Sequence, residues 1–123
     1  MRVLVVDDSV PCRRAVCDVV RAAEGFALAG SASSGEEALA LVERLDPDLV
    51  LLDVRMDGMN GFDAARRIRE LRPATVVVLV SAWAEAAAAT ADRSGAAATL
   101  HKRDLKPAVL GELWESYGTV AVR

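Results

Sequence analysis

The sequence predicts one α/β domain, a doubly wound five-stranded parallel sheet with helices on both faces. Val/Leu-rich runs at Val3 to Val6, within Pro47 to Asp53, where the uncharged stretch ends on the Asp53 carboxylate, and at Thr75 to Val80 read as strands buried on both sides. Stretches with apolar residues at helical spacing separate them. Connections of a few residues then require parallel strands joined by right-handed crossovers.

The 123 residues suit one domain, with a core over about 2–117 and a short tail, 118–123. A hydrophobic content of 53% with 27% charged residues is globular. A net charge of -3, with no Lys/Arg cluster, disfavours direct nucleic-acid binding. No apolar run is long enough to span a membrane, and Met1-Arg2 leads into a strand rather than a signal peptide. A cytoplasmic protein is expected.

In order, Arg2 to Val6 forms the first strand, and Asp7-Asp8-Ser9 is a turn that can cap a helix, with Pro11 tolerated in its first turn. Cys12, Val16, Val19, Val20 and Ala23 make its apolar stripe, Arg13, Arg14, Asp18 and Arg21 fall largely elsewhere, and Gly25 stops it. Cys12 and Cys17 point in different directions on this helix, so no disulfide is expected between them. Phe26 to Ala32 is the second strand. Ser34 with Glu37 is a capping-box start for a helix that carries Ala38, Leu41, Val42 and Leu45 inward and ends before Pro47.

The third strand ends at Asp53, and the loop Val54 to Gly61 contains two glycines that permit tight turns. Phe62, Ala65, Ile68 and Leu71 form the next stripe, ended by Pro73. Ala74 to Val80 is the fourth strand. Ala84 to Arg93 is an alanine-rich helix without a large apolar stripe, either responsive or simply rich in the best helix former. Ser94-Gly95 terminates it, Ala97 to Leu100 is the fifth strand, and the last helix begins near Leu105 to Pro107. On that helix Trp114 and Tyr117 read as core or core-edge residues rather than a partner patch.

Three strands stop on a carboxylate or hydroxyl: the first on Asp7-Asp8, the third on Asp53, the fourth on Ser81. A doubly wound sheet places its site outside the carboxyl ends of its strands. Gathered there, Asp7, Asp8 and Asp53 would repel one another and have raised pKa values unless a cation neutralised them. An all-oxygen set with no Cys or His in these motifs suits Mg²⁺ better than Zn²⁺. Lys102, just past the fifth strand, reaches the same edge as a point charge for an anion. His101, the single histidine, is expected to be a surface or edge residue. Taken one at a time, Asp8 could be a helix cap, Ser81 a loop residue and Lys102 a solvated charge. Together they describe a site for a phosphoryl group with a carboxylate nucleophile.

The segments VLVVDDS, LVLLDVRMDGMNGFDAA, VVLVSAWA and GAAATLHK resemble the signature segments of response-regulator receiver domains of two-component signalling, and the likeness covers nearly the whole chain. The resemblance implies a flavodoxin-like strand order 2-1-3-4-5. It implies that Asp53 is the phosphoacceptor, and that Asp7 and Asp8 hold Mg²⁺ together with the Asp53 carboxylate and the main-chain carbonyl of Arg55. By the same resemblance Ser81 bonds the phosphoryl oxygen in the switched state and Lys102 contacts the phosphorylated aspartate. Lys106-Pro107 imitates the family's Lys-Pro pair, but spacing favours Lys102, since Lys106 already enters the last helix. The implied donor is a sensor histidine kinase or phosphotransfer protein, the implied receiver of the signal an unknown downstream protein. The region of the alanine-rich helix, fifth strand and last helix is the family's output face and the candidate homodimer surface.

Asp57 stands where the family usually has proline, which is expected to loosen the loop or add negative charge near the metal. Thr99 replaces the usual switch aromatic. Arg55 and Trp83, bulky residues two positions past Asp53 and Ser81, are expected to shield the phosphoryl group from water. The expected function is phosphoryl acceptance with slow autodephosphorylation, not turnover as an enzyme, with output through protein contact because no effector segment follows Tyr117. The alternative is a phosphorylation-independent pseudo-receiver interaction module, which the complete acidic cluster and lysine disfavour. A hydrolase with an aspartate nucleophile would expect an acid at position 55, where this chain has Arg55.

Overall fold

A computed structural model of the protein describes residues 1–82 and 96–118. The elements run β1 (Arg2–Val6), α1 (Val10–Ala22), β2 (Ala27–Ala32), α2 (Gly35–Leu45), β3 (Leu49–Asp53), α3 (Gly61–Leu71), β4 (Val76–Ser81), β5 (Ala98–His101) and α4 (Pro107–Leu113). A 3-10 turn, Lys102–Asp104, joins β5 towards α4, and a wider π-type turn, Trp114–Gly118, continues α4. The expected alanine-rich helix Ala84 to Arg93, the Ser94-Gly95 pair and Trp83 lie outside the described residues.

The strands form one parallel sheet in the order β2-β1-β3-β4-β5. Alternation along the strands supplies two separate cores. Leu4, Val6, Val50, Leu52, Val77 and Leu79 pack under α2 and α3 with Ala38, Val42, Ala64, Ala65 and Ile68. Val3, Val5, Leu49, Leu51, Val76, Val78 and Val80 pack under α1 and α4 with Val16, Val20 and Leu110. Because both faces are covered, the central strands have no polar alternation to show, and β3 is buried from Leu49 to Asp53.

Caps define the helix starts. Ser9 accepts from the Cys12 N–H, Ser34 from the Glu37 N–H and Asn60 from the Asp63 N–H. The Glu37 carboxylate does not complete a reciprocal capping box; it meets the Ser33 hydroxyl at 3.4 Å. Asp46 ends α2 in the left-handed region at φ 46°, a conformation aspartate tolerates. Both cysteines are free.

Several boundaries differ from expectation. The chain turns at Gly25, φ +85°, and β2 starts at Ala27 rather than Phe26. β4 starts at Val76, because Thr75 is turned inward to donate its hydroxyl to the Pro47 carbonyl at 3.0 Å. β5 extends through His101. Leu71 is not an inward residue: it lies in the last turn of α3 and is 40% exposed, while Ala64 takes a buried place that the spacing did not assign. Trp114 packs at the edge of the α1-side core, as expected for a core-edge residue.

Candidate functional site

Register brings the acids together. Val6 pairs with Leu52, so the residues that follow, Asp7 and Asp53, emerge side by side where β1 and β3 end. Both are buried, and Asp8, one residue further into the turn, is exposed. Carboxylate oxygens of Asp7, Asp8 and Asp53 lie within 4.8 Å of one another. On the other side of β3, Asp53 pairs with Val80, which leaves Ser81 as the buried last residue of β4 at the same edge. β5 then delivers Lys102 immediately beyond its final residue, His101.

The Lys102 ammonium lies 3.2 Å from Asp7 Oδ2 and 3.5 Å from Asp53 Oδ1. One cation therefore bridges the two buried acids. Burial pushes the Asp53 carboxyl upward, the neighbouring Asp7 charge pushes it further, and Lys102 and the Arg55 main-chain N–H hold it back; the balance is a pKa of about 6, against an ordinary 3.8. Burial works against the Lys102 charge, but the Asp53 and Asp7 carboxylates outweigh it and raise its pKa. The site has more negative charge than Lys102 offsets, and an oxygen donor set into which a hard divalent cation fits.

The turn and loop that carry the acids are held by main-chain groups. The Ser9 N–H donates to Asp7 Oδ1 at 2.9 Å, and the Arg13 guanidinium donates to the Asp7 carbonyl at 2.9 Å. The Asp57 N–H donates to Asp8 Oδ2 at 3.2 Å, so that residue ties the loop after β3 to the turn after β1 instead of loosening it. Gly61 permits the close return of the chain: its N–H donates to the Val54 carbonyl, and a Cβ there would sit 2.7 Å from the Val54 Cα.

Every expected site residue among those described is at this edge except Thr99, which pairs with Leu79 within β5, half-buried. Arg55 is exposed beside Asp53. His101 is at the strand edge as expected, and its Nδ1 accepts from the Arg103 N–H at 3.1 Å. Lys106 is exposed at the start of α4. Arg13 carries no functional signature in the sequence beyond its place on the first turns of α1, directly after the acidic pair. The Asp57 amide carries none, since a side-chain motif contains no information about a main-chain donor.

The family description "response regulator receiver domain" matches residues 3–112. The chain belongs to the response regulator receiver domain family. As a receiver it is a phosphoacceptor module of two-component signalling. A protein-glutamate methylesterase/protein-glutamine glutaminase of Myxococcus xanthus is 42% identical to this receiver over 105 residues, 83% of this chain and 30% of that protein. The receiver spans between 23% and 34% of the length of the methylesterase relatives it matches. Its fold matches the response regulator domain of Thermotoga maritima CheB with a TM-score of 0.84 at 30% identity, covering 94% of each chain. It matches a chain of the CheX-CheY-BeF3-Mg²⁺ complex from Borrelia burgdorferi with a TM-score of 0.81 at 28% identity, covering 94% of this chain and 87% of that one. No helix among the described residues is long and apolar enough to cross a membrane.

Proposed function

We propose that Asp53 is the residue of this receiver that accepts the phosphoryl group, from a histidine kinase or phosphotransfer protein in the cytoplasm. The observation that carries this reading is the placement of a buried carboxylate, raised to a pKa of about 6, at the junction of two further acids and a lysine. An Asp53 carboxylate oxygen attacks the phosphorus of a phosphohistidine; the phosphorus–nitrogen bond breaks and its electron pair stays on the imidazole. Lys102 keeps Asp53 ionised and positioned before transfer, and contacts the new acyl phosphate afterwards. Ser81, at the end of the adjoining strand, bonds a phosphoryl oxygen. Asp7, Asp8, Asp53 and the Arg55 carbonyl would hold Mg²⁺, which supplies compensating positive charge for the acids and the phosphoryl oxygens. The Borrelia neighbour, solved with BeF3 and Mg²⁺, supports this assignment.

Phosphorylation then biases a two-state equilibrium that an unknown partner protein reads. With Thr99 in place of the switch aromatic, the conformational readout runs through other groups, and Arg55, exposed beside Asp53, shields the phosphoryl group from water. The face that β5 and α4 contribute is the proposed output and homodimer surface. The receiver itself performs phosphoryl acceptance and slow autodephosphorylation. Acetyl phosphate with Mg²⁺ tests the site without the kinase: intact mass should show a phosphoryl-sized gain in the wild type and none in Asp53→Ala. A gain that persists in the variant, or no gain from several donors, would overturn the assignment.

A further inference from the structure

We infer that Asp57 is a positioning residue that acts through its main-chain N–H, latching the loop after β3 onto the Asp8 carboxylate so that Asp8 is held for its metal before the metal arrives. This deepens the metal assignment proposed above and rests on it. The hydrogen bond joins residues 49 positions apart in sequence, from the Asp57 N–H to Asp8 Oδ2 at 3.2 Å. It spans the two connections that leave neighbouring strands, β1 and β3, at the edge where their acids meet.

Of the three acids, Asp8 is the one that most needs such a tether. Asp7 and Asp53 are buried, and Lys102 bridges them, while Asp7 also accepts from the Ser9 N–H. Asp8 is exposed, so its side chain would otherwise sample several rotamers and lose that freedom on metal binding. An N–H donor on one oxygen leaves the other oxygen and the remaining lone pairs for a cation, since an ionised carboxylate accepts at about four positions. The loop is anchored independently at both ends, by the Val54 N–H on the Val80 carbonyl and by the Gly61 N–H on the Val54 carbonyl. Its middle is thus presented to Asp8 by a fixed frame.

A proline at position 57, which the family resemblance leads one to expect, has no N–H and cannot make this bond. The side chain of Asp57 is dispensable in this scheme; only its amide matters. That separates the latch from the added negative charge, which any electrostatic account would invoke.

The test compares Asp57→Ala, which keeps the N–H, with Asp57→Pro, which removes it, by calorimetric titration of the metal-free full chain with Mg²⁺. Both lack the carboxylate, so their difference reports the amide. Asp57→Ala should bind within about twofold of wild type and Asp57→Pro about fivefold more weakly than Asp57→Ala, the scale expected for one exposed charge-assisted hydrogen bond. Circular dichroism checks that each variant is folded. Amide exchange in metal-free protein decides the case without the proline variant: the Asp57 N–H should exchange several-fold faster in Asp8→Ala than in wild type. Equal Mg²⁺ affinity of the two folded Asp57 variants, or unchanged Asp57 exchange in Asp8→Ala, overturns the latch. A wild type that binds no Mg²⁺ at all would overturn the metal assignment and the latch with it, a result distinct from either of those.

Discussion

Asp53 is held at a cost that pH reveals. Its folded pKa of about 6 exceeds its ordinary 3.8, because burial and Asp7 disfavour its charge more than Lys102 and the Arg55 N–H favour it. A group whose pKa is raised in the folded state binds its proton more tightly there, so stability falls as pH rises from about 4 through about 6 and the loss is complete above that window. Asn at this position carries no such charge. In metal-free buffer, Asp53→Asn should therefore match the wild type near pH 4 and be more stable by roughly 1–3 kcal/mol at pH 7, a range that follows from the raised pKa, in which the favourable Lys102 contact is already included. Urea unfolding of both proteins across pH 4–8 measures this, and a constant difference across that range would contradict the burial argument. The acid itself was visible in the sequence as the abrupt end of an apolar run. The imbalance around it was not, because Lys102 is 49 residues away along the chain and meets Asp53 only when β5 is in place.

At the level of elements, the loop between β3 and α3 is the part whose geometry is most constrained by a single residue. Gly61 begins α3 with its Cα against the end of β3; an added Cβ would approach the Val54 Cα to 2.7 Å and the Asp53 carbonyl carbon to 3.0 Å. Main chain cannot swing aside as a flexible side chain can. Gly61→Ala should cost about 2 kcal/mol of stability by chemical denaturation, in the range of overpacked sites. A change within a few tenths of a kcal/mol would show that the loop can retreat. Glycine in this loop was legible as a turn former, but the turn chemistry alone did not say that Gly61 is needed for close packing and that Gly58, at φ +77°, is the one needed for its backbone angle. The two glycines look alike in sequence and differ in what surrounds them.

For the molecule as a whole, stability rests on the two cores either side of the central strands. Leu52 is fully buried in β3 beneath α2 and α3, and Leu52→Ala should cost about 2–5 kcal/mol, a large share of the 5–15 kcal/mol typical of such a domain. Leu71→Ala, at the exposed end of α3, should stay within roughly 0.5 kcal/mol of wild type. Helical spacing placed Leu71 in line with Ile68, and a comparable loss at both positions would restore that inward assignment. Periodicity identifies a face but not how far along the helix the sheet extends beneath it, and α3 outruns its support by a turn.

Local chemistry was enough to specify the strands, the helix caps and the acids at the strand ends. A run such as Leu49 to Asp53 has one low-energy use in water, burial between two layers, and a carboxylate ending that run must then lie at the rim. Ser9 and Ser34 cap because their side chains satisfy donors within three residues. What folding alone settled are relations between distant residues: Val6 against Leu52 in register, Lys102 between Asp7 and Asp53, the Arg13 guanidinium on the Asp7 carbonyl and the Asp57 amide on Asp8. Those contacts depend on strand order and loop path, and backbone donors such as the Asp57 N–H are the same in every residue except proline. Their direction becomes informative only once the chain has brought an acceptor within reach.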